Sequence, residues 1–522
     1  MGLLYPGVAQ VRGERRGLHP HGTPYGSSEC PGIIDRMATT RELFIGGKDV
    51  PAASGRTTED ISPFTGEVYA TVAAGGPEDI TRAVDAADAA FPAWAALAPF
   101  ARRAIFLKAA DLLDAKGEQA VELMAQEVGG TAPWAHFNVA LAANVLREAA
   151  AAITAPRGEV LSTQESGALG MAVREPLGVV GAFAPWNAPL ILGVRAVAAP
   201  LAAGNTVVVK PSEDAPLACG LFVADVLREA GLPDGVLNVV TNAPEDAAVV
   251  AETLIADARV RAVNFTGSTG VGRIIGTHAA KHLKPAVLEL GGKNAILVLD
   301  DADVDYAVDA VTFGVFMNAG QICMSGDRIL VHESLAEEFT RKFTAKVATL
   351  PAGDPREPGT VVGPLVSPAA AERVAALVQD AVDKGATVLA GGGAPEGAVH
   401  PATVLTGVTK EMELYYGEAF GPVCVIETFA DDDAAIALAN DTENGLTCGV
   451  LTENATHGLA VARRVRTGIV HVNDQSVGDE PQAPFGGIKD SGYGRFGGRW
   501  GIEAFSSTRW LTVATQQAHY PF

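Results

Sequence analysis

The chain is short of positive charge. It carries 39 Lys and Arg against 61 Asp and Glu, a formal net charge of −22, so it lacks the clustered cations that hold a nucleic acid or an anionic membrane surface. Cysteine is scarce too: five in 522 residues, Cys30, Cys219, Cys323, Cys424 and Cys448, far apart and without a C-x-x-C spacing. That excludes a disulfide framework and a zinc site, leaves no metal expected, and points to a reducing cytoplasm. Long apolar runs are missing as well. The most apolar stretch, residues 176–204, is broken by Asn187, Arg195 and three internal prolines, which argues against a membrane-spanning helix. No signal-peptide pattern and no internal repeat stand out. Residues 1–36 mix Gly, Pro, His and Arg without an apolar period; they read as a disordered extension, with Met37 a candidate start.

What remains is a large globular chain. Its length exceeds one core, so two or three domains are expected, and 48 % hydrophobic residues supply the material. Phe44 to Lys48 and Ser62 to Val68 read as short strands between Gly and Pro turns. Apolar spacing predicts amphipathic helices over 79–91, 101–129 and 135–152, then a hairpin over 157–175 around Ser166-Gly167. Short β-branched runs at 179–184, 206–209, 236–240 and 260–265 then alternate with helical stretches. That alternation predicts an α/β fold with a parallel sheet covered on both faces, whose ligands bind at the carboxyl ends of the strands. A second α/β region follows, with strands at 296–299 and 328–331 and helices at 304–319 and 335–350. The tail 505–513 reads as a strand that can pair with the hairpin.

Residues just after the strands therefore carry the interest. They are Pro185-Trp186-Asn187, Lys210-Pro211-Ser212-Glu213 and the Gly-rich turn Gly267 to Gly272, which opens a helix over 271–281. Amides of that turn and a helix N-terminus suit a phosphate, although the order G-x-x-G-x-G is not the dinucleotide fingerprint and a structural turn explains it equally well. Lys210 and Glu213 suit an adenosine ribose or are plain surface charges. A carboxylate there favours NAD and opposes a 2′-phosphate, with NADP still open. Further on lie Glu289-Leu290-Gly291-Gly292-Lys293 and Gly320-Gln321-Ile322-Cys323, a carboxylate and a thiol whose residue types mean little alone.

Taken together and in order, these segments, with Phe265-Thr266-Gly267-Ser268, Glu418-Ala419-Phe420-Gly421-Pro422 and Pro484-Phe485-Gly486-Gly487, resemble the aldehyde dehydrogenase superfamily from about residue 42 to 513. The resemblance implies a Rossmann-like parallel-sheet cofactor domain (37–156 and 177–290), an α/β catalytic domain (291–490) and a small β oligomerisation arm (157–176 and 500–522), in a homodimer or homotetramer. It assigns Cys323 as nucleophile toward an aldehyde, Asn187 with the Cys323 amide as oxyanion donors, and Glu289 as the base that activates water against the thioester. Ser268 would meet the pyrophosphate, Lys210 and Glu213 the adenosine ribose, Glu418 the nicotinamide ribose and Phe420 the nicotinamide ring. Trp186 is either a cofactor or substrate wall or core packing. Ser212, Gly267 and Gly272 belong to the same cofactor segments.

Two departures stand out. Where many members place a basic residue after the oxyanion Asn, this chain has Ala196, preceded by Arg195; where many place a proton-relaying Glu, it has Phe496. Residues 186–195, 321–325 and 493–498 look most similar to the salicylaldehyde, vanillin and benzaldehyde dehydrogenase branch, which implies an aromatic aldehyde. An apolar pocket using Ile191, Arg195, Phe313 and Met324 would suit a flat ring. Aliphatic aldehydes or semialdehydes, a CoA-acylating reaction and a non-catalytic binding role remain as alternatives.

Overall fold

The computed structural model describes residues 40–164, 167–517 and 519–522. The expected extension 1–36, with Cys30, Met37 and Ser166, lies outside them.

Among the described residues the larger sheet has eight strands, in the order Gly492–Tyr493, Ala286–Glu289, Val260–Thr266, Val179–Ala184, Thr206–Pro211, Leu237–Val239, Leu43–Ile45 and Lys48–Val50. The five from Ala286–Glu289 to Leu237–Val239 run parallel; the outer ones are antiparallel. Val179–Ala184 and Thr206–Pro211 are buried along their whole length, as a centre covered on both faces demands. One covering helix, Pro189–Ala203, is buried at nearly every position. It packs tightly where Gly193 meets the backbone of Cys219: a Cβ on Gly193 would lie 2.5 Å from that carbonyl oxygen.

The second sheet has seven strands among the described residues, with Gly326–His332 at its middle and Asn294–Val298 between that strand and Cys448–Leu451, parallel to both. A third, three-stranded sheet pairs Ser506–Val513 with Leu169–Pro176 in continuous antiparallel register from Ser506↔Pro176 to Val513↔Leu169, and Gly158–Leu161 completes it. The tail strand thus joins the hairpin of its own chain.

Two local expectations need correction. Residues 62–67 are a turn, closed by Gly66 N–H donating to the Ser62 carbonyl at 2.8 Å, and the strands flank it at Thr57–Ile61 and Val68–Ala73. The helix expected over 304–319 stops at Phe316, because Asn318, Ala319 and Gly320 take positive φ of 51°, 52° and 72°. Left-handed backbone at Asn and Ala is costly and persists only where its surroundings enforce it. Here it leads directly into Cys323. No helix among the described residues is long and apolar enough to cross a membrane.

Candidate active site

The carboxyl ends of the first sheet's strands and the loops that precede the second sheet's strands meet at one cavity of about 340 Å³. It is lined by Trp186 and Asn187 from one strand end, Gly267 and Ser268 from another, Glu289, Cys323, Glu418 and Phe420, and also by Leu192 and Arg373.

Cys323 is half-buried, and its loop is tied down from several directions. Asn294 Nδ2 donates to the Cys323 carbonyl at 2.8 Å and to that of Ser325 at 2.9 Å. Asn187 Nδ2 donates to the Gln321 carbonyl at 3.0 Å, leaving its second amide hydrogen free of that bond. The Asn187 carbonyl accepts from Asn318 Nδ2 at 3.0 Å and Trp134 Nε1 at 3.1 Å. These bonds join the nucleophile loop to the strand end that carries Asn187, and they hold the left-handed residues in place.

Glu289 ends its strand, 2 % exposed, opposite Gly492 of the antiparallel edge strand. It lines the same cavity as Cys323, and the two groups act on each other's ionisation. Burial raises the Glu289 pKa to about 7; the Cys323 thiol and the charge of Arg195 act against that rise, and Asp479 adds to it. Burial, reinforced by the Glu289 charge, pushes the Cys323 thiol well above its ordinary value. Its proton is therefore held until a base takes it. Glu418 accepts from Gly292 N–H at 3.0 Å, and burial raises its pKa to about 8. Phe420 has φ of +45° and meets Trp186 edge-on, ring centroids 5.6 Å apart.

Lys210, Ser212 and Glu213 lie at the neighbouring strand end, outside the cavity lining. Lys210 pairs with Glu213, which also accepts from Asn242 Nδ2 at 2.8 Å. Ser268 caps the helix Thr269–Lys281, accepting from Val271 N–H at 3.4 Å. Gly272 is used for packing: a Cβ there would lie 2.3 Å from Leu290 Cδ2.

The residues expected at the substrate wall lie outside the lining of this cavity. Ile191 and Met324 are core residues, Phe313 is 44 % exposed, and none of the three lines the cavity. Ile191 and its neighbour Leu192 point about 100° apart around their helix, and it is Leu192 that reaches the cavity. Val311 and Val315, on the inward side of the helix Val304–Phe316, are buried and leave Phe313 outside. Arg195 does not line this cavity either and forms a buried ion pair with Asp479. Sequence reasoning missed Leu192, Arg373 and Asp479. Leu192 is accessible from helix phase; Arg373, in the helix Pro368–Asp383, carries no motif that would announce it.

The profile of the aldehyde dehydrogenase family matches residues 50–511. The chain belongs to that family. It is thus an NAD(P)-dependent, aldehyde-oxidising oxidoreductase. The chain is 52 % identical to a vanillin dehydrogenase of Pseudomonas fluorescens over 92 % of this chain and 99 % of the relative. The crystal structure of a salicylaldehyde dehydrogenase from Pseudomonas putida G7, complexed with salicylaldehyde, superposes with a TM-score of 0.90 at 42 % identity, covering 92 % of this chain and all of that one. An NAD-dependent aldehyde dehydrogenase from Sinorhizobium meliloti gives 0.90 at 36 % identity, covering 95 % and 98 %.

Proposed function

We propose that this aldehyde dehydrogenase oxidises an aromatic aldehyde of the benzaldehyde, vanillin or salicylaldehyde type to the free acid, with NAD as the preferred cofactor, in the cytoplasm. The observation that carries the reading is that Cys323 and the buried Glu289 line one cavity together with Asn187. The names of the relatives support the aromatic substrate, and Leu192 supplies an apolar wall.

The cavity, the adjoining Gly267 turn and the carboxyls of Glu418 and Glu213 fit a dinucleotide. Gly291 leaves the room: a Cβ there would stand 2.3 Å from Glu418 Oε2. When bound, the cofactor accepts a hydride. Cys323 attacks the carbonyl carbon after Glu289 takes its proton. The free hydrogen of the Asn187 amide and the Cys323 N–H stabilise the oxyanion, on the order of 3–4 kcal/mol per donor. Once the hydride has left, a thioester remains on Cys323, and Glu289 deprotonates the water that hydrolyses it. A base so placed works against transfer of the acyl group to CoA.

The Ser506–Val513 strand forms an edge of its sheet with Trp510 73 % exposed, which supports a homodimer or homotetramer built by sheet extension. The test is purified enzyme with NAD or NADP and a panel of benzaldehydes, aliphatic aldehydes and semialdehydes, following NADH and acid. Rates confined to short aliphatic substrates would overturn the aromatic assignment.

A further inference from the structure

A second cavity, of about 260 Å³, shares no lining residue with the Cys323 site. It lies where the three-stranded sheet joins the rest of the chain. Arg157 precedes the strand Gly158–Leu161, Arg174 belongs to Leu169–Pro176, and Arg499 and Ile502 belong to the short helix Gly498–Ala504 ahead of the tail strand. Ile153 and Ala203 close it from the ends of the helices Ala132–Ile153 and Pro189–Ala203. Three guanidiniums thus line one cavity in a chain of net charge −22.

Their own partners leave most of this charge unanswered. Arg174 pairs with Glu503 at 2.7 Å. Arg157 donates one N–H to the Ala203 carbonyl at 3.3 Å, an ordinary duty for a cation at a helix C-terminus that leaves its other donors open. Arg499 packs over the Trp500 ring at 4.8 Å, and among the described residues neither Arg157 nor Arg499 is in an ion pair. A fourth guanidinium adds to them. Arg102 is wholly buried, and its three nitrogens have no hydrogen-bond partner among the described residues. Its Nη1 would stand 2.7 Å from a Cβ on Gly204, the residue that follows Ala203 of the cavity lining. A buried cation without a partner is costly, and an anion nearby offsets that cost. Only one carboxylate lines the cavity, the half-buried Glu148, and the other lining residues are apolar except Ser506. Such a wall suits an anion with an apolar body: guanidinium forks take a carboxylate through paired N–H bonds, and alkyl side chains cover a ring. The space is smaller than the Cys323 cavity and suits a single substituted ring.

We propose that this cavity is a second binding site, for an aromatic monocarboxylate, with the carboxylate held by Arg157 and Arg499 and the ring against Ile153 and Ile502. That is the class of acid the enzyme releases, and the choice of an aromatic acid rests on the function proposed above. The acid binds as its anion, and no bond is made or broken. An inorganic anion would leave the alkyl wall unused, and a neutral ring would leave the guanidiniums unpaired.

The test is calorimetric titration of the full-length enzyme with sodium benzoate, after Cys323 is alkylated with iodoacetamide and NADH is added to occupy the first cavity. One benzoate per chain is expected, with benzamide and inorganic phosphate each bound about tenfold or more weakly. Arg157→Gln/Arg499→Gln should weaken benzoate by about tenfold or more. Both side chains are exposed, so the unalkylated double variant should keep its melting temperature and oxidise benzaldehyde with kcat within about twofold of wild type. Ile502→Glu sets a carboxylate beside the intact arginines and should also abolish uptake. Absence of benzoate binding overturns the proposal, as does binding unchanged in either variant or phosphate bound as tightly as benzoate. Wild-type enzyme that makes no benzoate from benzaldehyde would sink the proposed function, whereas benzoate production without benzoate binding to the alkylated enzyme sinks only this site.

Discussion

Glu289→Gln keeps the shape of the side chain and removes its ability to accept a proton. Burial raises this carboxyl from 4.5 to about 7, which amounts to about 3 kcal/mol against the charged form. A raised carboxylate pKa means that the base is protonated below about 7, so thioester hydrolysis should fall as pH drops through that value and level off above it. The same shift sets the sign for stability. The folded value exceeds the unfolded one, so ionised Glu289 weakens the fold above pH 7, and the neutral Gln should leave the Tm at pH 8 unchanged or raised. Loss of a general base costs about 10²- to 10⁴-fold in rate. Rapid mixing with NAD and an aromatic aldehyde should then give a burst of NADH near one per site, followed by slow turnover without the inflection near pH 7. Because Glu289 also takes the Cys323 proton, the burst itself should slow and recover as pH rises, whereas the later hydrolysis stays slow. Acid release at the wild-type rate would refute the assignment.

Other outcomes follow from the same geometry. Cys323→Ala should abolish oxidation while cofactor binding, read by fluorescence titration, persists; residual turnover above background would refute the thioester route. Asn187→Ala removes one oxyanion donor and should lower kcat by about 10²- to 10³-fold, and because its side chain also braces Gln321, a melt should accompany the kinetics. Glu213→Ala should raise kcat/KM with NADP relative to NAD; an unmoved ratio refutes the ribose role. Gly193→Ala forces a Cβ against the Cys219 carbonyl and should cost about 1–3 kcal/mol in denaturant unfolding.

The order of strands and helices was legible because fully buried strands such as Val179–Ala184 must be continuous apolar runs, while the helices beside them keep a period. The chemistry was legible as types in motifs: a thiol at 323, a carboxylate at 289, an amide at 187 and a Gly-rich turn after the strand Val260–Thr266. Chain order alone does not say which faces point where. The slip from Ile191 to Leu192 is one helical step, and the early end of the helix at Phe316 depends on left-handed residues that propensity disfavours and that bonds from Asn187 and Asn294 hold in place. The ion pair of Arg195 with Asp479 spans 284 positions of sequence and has no local signal. Sequence by itself determined the reacting groups and the layered frame that brings strand ends to one edge, because composition and period act locally. Only the tertiary structure decided that Glu289 is buried in the cavity that Cys323 lines and that Arg195 pairs with Asp479, because burial and ion pairing arise from residues far apart in the chain.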